Sequence, residues 1–211
     1  SYEGLEWIES LGMEFSDIIG QGAGSLWQRT HTSTMQMGTG FISTYVENIL
    51  KDEKITVLTS STAEKLVQDD AGKVTGVVCK DKAGNEFTVS ANMGVVLATG
   101  GFAANSKMVQ EYNTSGKWND LSKVMTTNRF SSSQGDGISM ALEAGASLTD
   151  MEQIQLLYLG NVKDGQLTKY PPRDVNGTDQ IIFINKEGKR FVREDGRRDE
   201  ICLAVMAQTD S

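Results

Sequence analysis

Six consecutive residues, Glu194 to Asp199, hold three acids and two arginines around Gly196. A guanidinium can grip a carboxylate and aim one N–H at a reacting atom, which is the geometry of a positioned proton transfer. A solvated charge cluster is the plainer reading, and composition alone favours it. Composition does not explain the setting. An apolar, β-branched run, Ile181 to Asn185, leads into the turn Lys186-Glu187-Gly188-Lys189, and Arg190, Phe191 and Val192 then deliver the cluster.

Three glycine-rich stretches are the other places where chemistry could sit. In Gly94 to Phe102, GVVLATGGF, the apolar residues Val95, Val96 and Leu97 read as a fully buried parallel strand ending at Thr99-Gly100-Gly101. Two glycines there leave backbone bare for a cofactor to pack against. Gly135-Asp136-Gly137 opens a helix, with Asp136 suited to its N-cap. Gly20-Gln21-Gly22-Ala23-Gly24-Ser25 invites a dinucleotide-loop reading. That reading fails, because Ser25 stands at the third glycine position, no helical run follows at once, and no acidic residue ends a second strand at the required distance. With one histidine, His31, a histidine-rich metal site is implausible.

The stretch Asn185, Gly188-Lys189-Arg190-Phe191, Arg193-Glu194, Asp195-Gly196-Arg197, Arg198-Asp199 resembles the flavoproteins of the fumarate reductase and succinate dehydrogenase type, especially the soluble single-chain reductases. Their motif is an apolar strand ending in Asn, a Gly-Lys-Arg-Phe turn, Asn-Glu, three variable positions and Arg-Asp. The spacing matches throughout, with Arg193 in place of the usual Asn. Ala98-Thr99-Gly100-Gly101-Phe102 looks like the FAD-contacting strand end of two-dinucleotide-binding-domain flavoproteins. The Arg29-Thr30-His31 loop, Gly135-Asp136-Gly137 and Asp150 to Gln155 also match the family's pattern.

The resemblance implies an α/β fold: part of a two-dinucleotide-binding-domain FAD fold with a β-meander, plus the start of a capping domain. Residues 1–150 would be the central part of the FAD-binding domain, without its N-terminal GxGxxG loop or its C-terminal segment, and 151–211 the beginning of the substrate cap. It implies FAD contacts at Ala63, Thr99, Gly100, Gly101 and Asp136. It makes Arg198 the proton donor, with Asp174, Glu194 or Arg197 assisting. An assistant is needed because free arginine titrates only at about 12.5 to 13.8. It also implies an unsaturated carboxylate as substrate and an electron-donor domain or protein as partner, with FMN or haem on other domains as a further expectation. The chain is expected to be an excised piece of a larger flavoenzyme that alone binds FAD weakly or not at all.

Two departures bear on the substrate. Where the fumarate enzymes carry His-Pro to hold a carboxylate, this chain has Leu157-Tyr158, and where they place a relay arginine it has Gly177. Fumarate has two carboxylates to clamp. A monocarboxylate such as urocanate or an aryl acrylate suits a site in which Leu157, Tyr158 and Arg197 meet the substrate and Asp174 can face an imidazole. A 3-ketosteroid dehydrogenase-like flavoenzyme and a non-catalytic binding module stay open as alternatives.

The elements that must position these residues follow from pattern. Tyr2 to Leu11 reads as an amphipathic helix closed by Gly12, and Glu14 to Ile19 as a strand. A helix follows Thr39, its expected N-cap, with Ile42, Val46, Ile49 and Leu50 on one face. Ile55 to Leu58 is an expected strand. Ser61 to Gln68, Val74 to Lys80 and Glu86 to Ser90, separated by Asp-Ala-Gly-Lys and Lys-Ala-Gly-Asn turns, make a three-stranded meander. Asn113 to Ser133 is polar and irregular, anchored by Trp118 and Leu121, and Pro171-Pro172 marks a break between larger units.

Composition sets the bounds. The chain has 211 residues, 38% hydrophobic and 23% charged, and a formal net charge of -8. That charge repels a nucleic-acid backbone. No apolar run reaches the length of a membrane span. Cys79 and Cys202 cannot build a disulfide framework, and Cys79 is expected as a buried free thiol.

Overall fold

The computed structural model describes residues 2–21, 25–35, 38–126, 132–158, 161–163, 166–169 and 182–208. Asp174, Gly177 and the Pro171-Pro172 pair lie outside them, as do Gly22 and Gly24. The chain forms two compact units, Ser1–Val57 with Pro172–Ser211, and Leu58–Pro171.

The first unit opens with α1, Tyr2–Ser10, which ends because Gly12 takes a φ of 94° that residues with a Cβ rarely adopt. The expected strand after it is an irregular ribbon. Glu14 to Gly20 runs antiparallel to Arg29 to Thr34, with bridges at Phe15 and Ser33 and at Gly20 and Thr30 and a 2.8 Å bond from Ser16 N–H to the Thr32 carbonyl. Helix α2, Thr39–Ile49, has Gly38 as its N-cap, so Thr39 is its first helical residue and caps nothing.

The side that α2 buries also differs from expectation. Gly40 and Thr44 are its buried residues, while Ile42, Val46 and Leu50 are 63%, 45% and 76% exposed. Small side chains let the helix approach closely. A Cβ on Gly40 would lie 3.0 Å from Met13 Cε and 3.1 Å from Ser33 Cβ, Thr44 Oγ1 donates to Met13 Sδ at 3.5 Å, and Asn48 Nδ2 donates to the Leu11 carbonyl at 3.0 Å. Close approach and that half-buried amide bond orient the helix, and Ile42, Val46 and Leu50 are left facing outward.

The second unit is built on the meander β1, Ser61–Gln68; β2, Val74–Asp81; and β3, Glu86–Ser90, antiparallel in that order. Both hairpins close by one device. Asp69 Oδ1 accepts the N–H groups of Ala71 and Lys73 at 3.0 and 2.9 Å, Asp81 Oδ1 those of Ala83 and Asn85 at 2.8 Å, and Gly72 and Gly84 supply the positive φ. Helix α3, Ser106–Glu111, is capped by Asn105, which accepts from Met108 N–H at 3.1 Å. Trp118 and Leu121, 6% and 0% exposed, anchor the irregular stretch, as their types led one to expect. Helix α4, Asp136–Glu143, packs on β1, and β4, Asn161–Lys163, pairs antiparallel with β5, Gln166–Lys169.

Two expected strands are neither paired nor buried among the described residues. Val96 is 91% and Leu97 40% exposed, and Ile55, Val57 and Leu58 are each about half exposed. A parallel strand is buried by its neighbours in the sheet and by helices over both faces. Among the described residues neither stretch has such neighbours. Cys79 is half-buried in β2 and Cys202 is buried, both as free thiols. No described helix is long and apolar enough to cross a membrane.

The meander tolerates no side chain at Gly76, where a Cβ would sit 2.6 Å from the Val89 carbonyl oxygen of the next strand. Gly76→Ala is expected to cost about 1–3 kcal/mol by overpacking against backbone. Urea titration of the chain, read as a lower midpoint at unchanged slope, checks this.

Candidate functional site

The arginine-bearing stretch is organised by a buried carboxylate. Glu194 is 3% exposed. Its Oε1 accepts the Phe183 N–H at 2.8 Å and Arg190 Nε at 3.1 Å, and its Oε2 accepts an Arg190 terminal nitrogen. One side chain thereby fastens both arms of the hairpin formed by residues 182–191. That hairpin has one ladder bridge, Ile184 to Arg190, and a turn in which Gly188 takes a φ of 71° and Asn185 Oδ1 accepts from Glu187 and Lys189. The Arg190 guanidinium, and then the Phe183 N–H, hold the Glu194 carboxyl below its ordinary range. The apolar lead-in is less buried than its composition suggested, with Ile182 and Ile184 67% and 59% exposed.

Beyond Glu194 the chain turns through an exposed Arg193–Asp195 ion pair at 2.8 Å and enters α5, Arg198–Met206. Arg197 is the N-cap. Its N–H donates to Glu200 Oε2 at 3.1 Å, and Asp199 and Glu200 place negative charge in the first turn, where the helix dipole favours it. Arg198 is the first helical residue and is half-buried, and its Nε is buried with no hydrogen-bond partner among the described residues. Leaving such a donor unmade costs about 1–3 kcal/mol, so an acceptor brought by a ligand would recover it. Ile201, fully buried one turn on, fixes the helix beneath it.

A charged cleft of about 670 Å³ lies against this stretch, lined by Gln21, Ser25 and Leu26 on one side and by Arg193, Asp195, Arg197 and Glu200 on the other. Sequence reasoning missed the first three. They sit beside glycines that look like a flexible loop, and only the antiparallel ribbon returns them to the arginines. His31 is exposed and edge-on to Phe15, with ring centres 6.0 Å apart.

The second unit brings the glycine-rich motifs together. Gly135 N–H donates to the Gly101 carbonyl at 3.1 Å, and Asn105 Nδ2 donates to the Gln134 carbonyl at 3.0 Å. A Cβ on Gly137 would run into Thr99 Oγ1 and lie 3.1 Å from Thr99 Cβ, and Gly135 holds a φ of 87° that residues with a Cβ rarely adopt. Gly135, at a φ of 87°, is the N-cap of α4. Asp136 is therefore the first helical residue, not the cap, and its carboxylate is exposed. Gly100 and Gly101 are exposed, and nothing lies within 4 Å of where a Cβ on Gly101 would be. The backbone is bare here as anticipated, although the residues before it form no strand among those described. Ala63, paired with Cys79, sits half-buried in β1, the strand that packs against α4.

The same unit contains a cleft of about 240 Å³ that starts at Gly101 and Phe102 and ends at Leu157. Trp118 Nε1 donates to the Ile154 carbonyl at 3.0 Å and so pins the segment carrying Leu157 to the irregular stretch. Tyr158, the next residue, is half-buried.

A carboxyl whose folded value is depressed stabilises the fold above its unfolded value, about 4.3 for Glu, and loses that contribution as pH falls through the folded value. The hairpin is therefore expected to loosen below about pH 4. Thermal melts from pH 6 to pH 3 should fall more steeply for the native chain than for Glu194→Gln, which starts less stable and has no carboxyl to titrate there.

The family model "FAD binding domain" matches residues 2–211. The chain is 34% identical over 208 residues to the NADH:acrylate oxidoreductase of Vibrio harveyi, covering 97% of this chain and 20% of that one. It is 34% identical over 169 residues to the urocanate reductase of Eggerthella lenta, covering 75% and 25%. Among solved structures, the open conformation of a flavocytochrome c3 fumarate reductase superposes with a TM-score of 0.72 at 29% identity, over 98% of this chain and 35% of that one. The chain thus spans a fifth to about a third of the length of these relatives. The bare Gly100–Gly101 backbone, its interlock with Gly135-Asp136-Gly137 and the match along nearly the whole sequence lead to one assignment: this chain belongs to the FAD-binding domain family, with an α/β fold.

Proposed function

We propose that the chain is the central part of an FAD-dependent reductase that saturates the double bond of an α,β-unsaturated carboxylate, with Arg198 donating the proton. The observation that carries this reading is the buried, unpartnered Nε of Arg198 at the start of α5, within a motif whose spacing matches the reductases residue by residue. Relatives that share the family include proteins named for acrylate and urocanate.

Residues 1–150 are assigned to the FAD-binding domain and 151–211 to the start of the cap over the substrate. The fit to FAD rests on open backbone at Gly100 and Gly101, a carboxylate at Asp136 left free of capping, and Ala63 and Thr99 on the adjoining elements. A bound, reduced flavin would supply the hydride that the β-carbon of the activated double bond accepts. Arg198 holds the carboxylate region and delivers a proton to the α-carbon, and Arg197 contributes a second cation for the carboxylate. Asp174, which lies outside the described residues, Glu194 or Arg197 would assist in passing a proton from solvent back to Arg198. Glu194, already accepting from Phe183 and Arg190, serves this chemistry by holding the approach to α5 in place. An electron-donor domain or protein would supply the reducing equivalents, with FMN or haem as the group expected there. Leu157 and Tyr158, standing where a carboxylate-binding His-Pro is expected, favour urocanate or an aryl acrylate over fumarate.

In the full-length, FAD-loaded enzyme, Arg198→Ala is expected to lower reduction of the preferred acid by about a thousandfold or more. The flavin absorbance and stoichiometry should stay those of the unaltered enzyme. Turnover retained by the variant would overturn the assignment.

A further inference from the structure

Asn105 and Gln134 sit where the two glycine motifs meet, and each makes a bond that its local position does not require. Asn105 is the N-cap of α3 and accepts the Met108 N–H at 3.1 Å through Oδ1. A cap asks only for an acceptor, which Asp, Ser or Thr supplies as well. The amide adds a donor, and Asn105 directs its Nδ2 at the Gln134 carbonyl, 3.0 Å away. Gln134 replies from the other side, donating Nε2 to the Ala104 carbonyl at 3.3 Å. Two backbone bonds run beside these, from Ala104 N–H to the Ser133 carbonyl at 3.0 Å and from Gly135 N–H to the Gly101 carbonyl at 3.1 Å. The joint also holds strained backbone. Ser133 has a φ of 53°, a left-handed conformation that persists in a residue with a Cβ only where the surroundings over-determine it, and such residues gather at ligand clamps. Its Oγ lies 3.7 Å from where a Cβ on Gly100 would be, so the strained residue stands directly against the bare backbone.

We propose that Asn105 and Gln134 are positioning residues of the FAD site, forming a reciprocal amide clasp that fixes the Gly100–Gly101 backbone against the start of α4. The proposal rests on the FAD contacts proposed above and adds to them two residues that act through that backbone. Gly100 and Gly101 are exposed, Gly100 takes a φ of 77°, and neither has a Cβ to restrict it. A glycine pair loses more conformational freedom on being fixed than any other pair. A ligand that packs on unfixed backbone must supply the ordering from its own contacts, whereas a backbone ordered beforehand leaves those contacts to affinity. The clasp does this ordering just beyond the pair, at residues 104 and 105, while the Gly101 carbonyl is tethered at the pair itself. Asp136 directly follows Gly135, so the same joint sets its offset from Gly101.

The test titrates FAD into the full-length enzyme stripped of flavin, at neutral pH, and follows quenching of flavin fluorescence, with thermal melts of the same proteins alongside. Asn105→Asp keeps the cap of α3 but loses the donor and sets a carboxylate against the Gln134 carbonyl, so the Kd for FAD should rise about tenfold. Gln134→Glu removes the opposing donor and should raise it about threefold. Gly76→Ala, whose new Cβ meets Val89 and Ser90 of the next strand, should lower the melting temperature yet leave the Kd within about twofold, so that lost stability does not imitate the effect. Gly101→Val probes the underlying placement. Nothing lies within 4 Å of where its Cβ would be, so the chain folds, but the side chain covers the backbone assigned to FAD, and the Kd should rise about tenfold or more. An unchanged Kd in both clasp variants, or a loss in Gly76→Ala equal to theirs, would overturn the clasp while Gly101→Val still weakens binding and the FAD placement stands. An unchanged Kd in Gly101→Val would bring down the placement and the clasp together.

Discussion

One buried carboxylate governs the arginine-bearing unit. Glu194 is nearly inaccessible, and a charge in that position is tolerable only when its oxygens are fully engaged. The Phe183 N–H and the Arg190 guanidinium engage them from the two arms of a hairpin that has almost no ladder of its own. The carboxylate therefore does what a run of backbone pairs does elsewhere. Because Glu194 lies four residues before Arg198, fixing it also fixes where α5 begins. Asn185 Nδ2, donating to Gln208 Oε1 at 3.2 Å, ties the same hairpin to the far end of that helix.

The unit that carries the glycine motifs depends on a constraint of a different kind, the exclusion of Cβ atoms. Gly137 lies against Thr99, and Gly135 against Met108 and Phe102, so two glycine motifs separated by more than thirty residues fit only as each other's complement. The fit leaves Gly101 open toward solvent and turns the Gly135 N–H onto the Gly101 carbonyl. It also moves the capping position of α4 onto Gly135. Asp136 then stands in the first turn of α4 with an exposed carboxylate.

The chemistry-bearing motifs were legible in the sequence because each is short and carries its own local physics. A tight turn requires Gly188, and the meander is written twice as an Asp with a Gly three residues on. Trp118 and Leu121 stand out as anchors because they are large and apolar in a polar stretch. Burial was less legible. The aliphatic stripe of α2 and the runs around Val96 and Val57 look like core by composition, yet they are exposed among the described residues. Hydropathy says what a residue prefers, whereas burial depends on whether a neighbouring element arrives to cover it.

The sequence by itself determined the family, the place of Arg198 in its motif, the meander and both of its turns, because these rest on residue type and spacing along a local stretch. Only the tertiary structure decided that Glu194 is a buried clasp, that Gly38 and Gly135 cap their helices in place of Thr39 and Asp136, and that small residues form the packed side of α2. It alone gathered Gly101, Val109, Leu121 and Leu157 around one cleft. Those outcomes depend on which surfaces meet, and contacts between distant segments are set by close packing and by the need to satisfy buried polar groups, neither of which has a signature in the spacing of neighbouring residues.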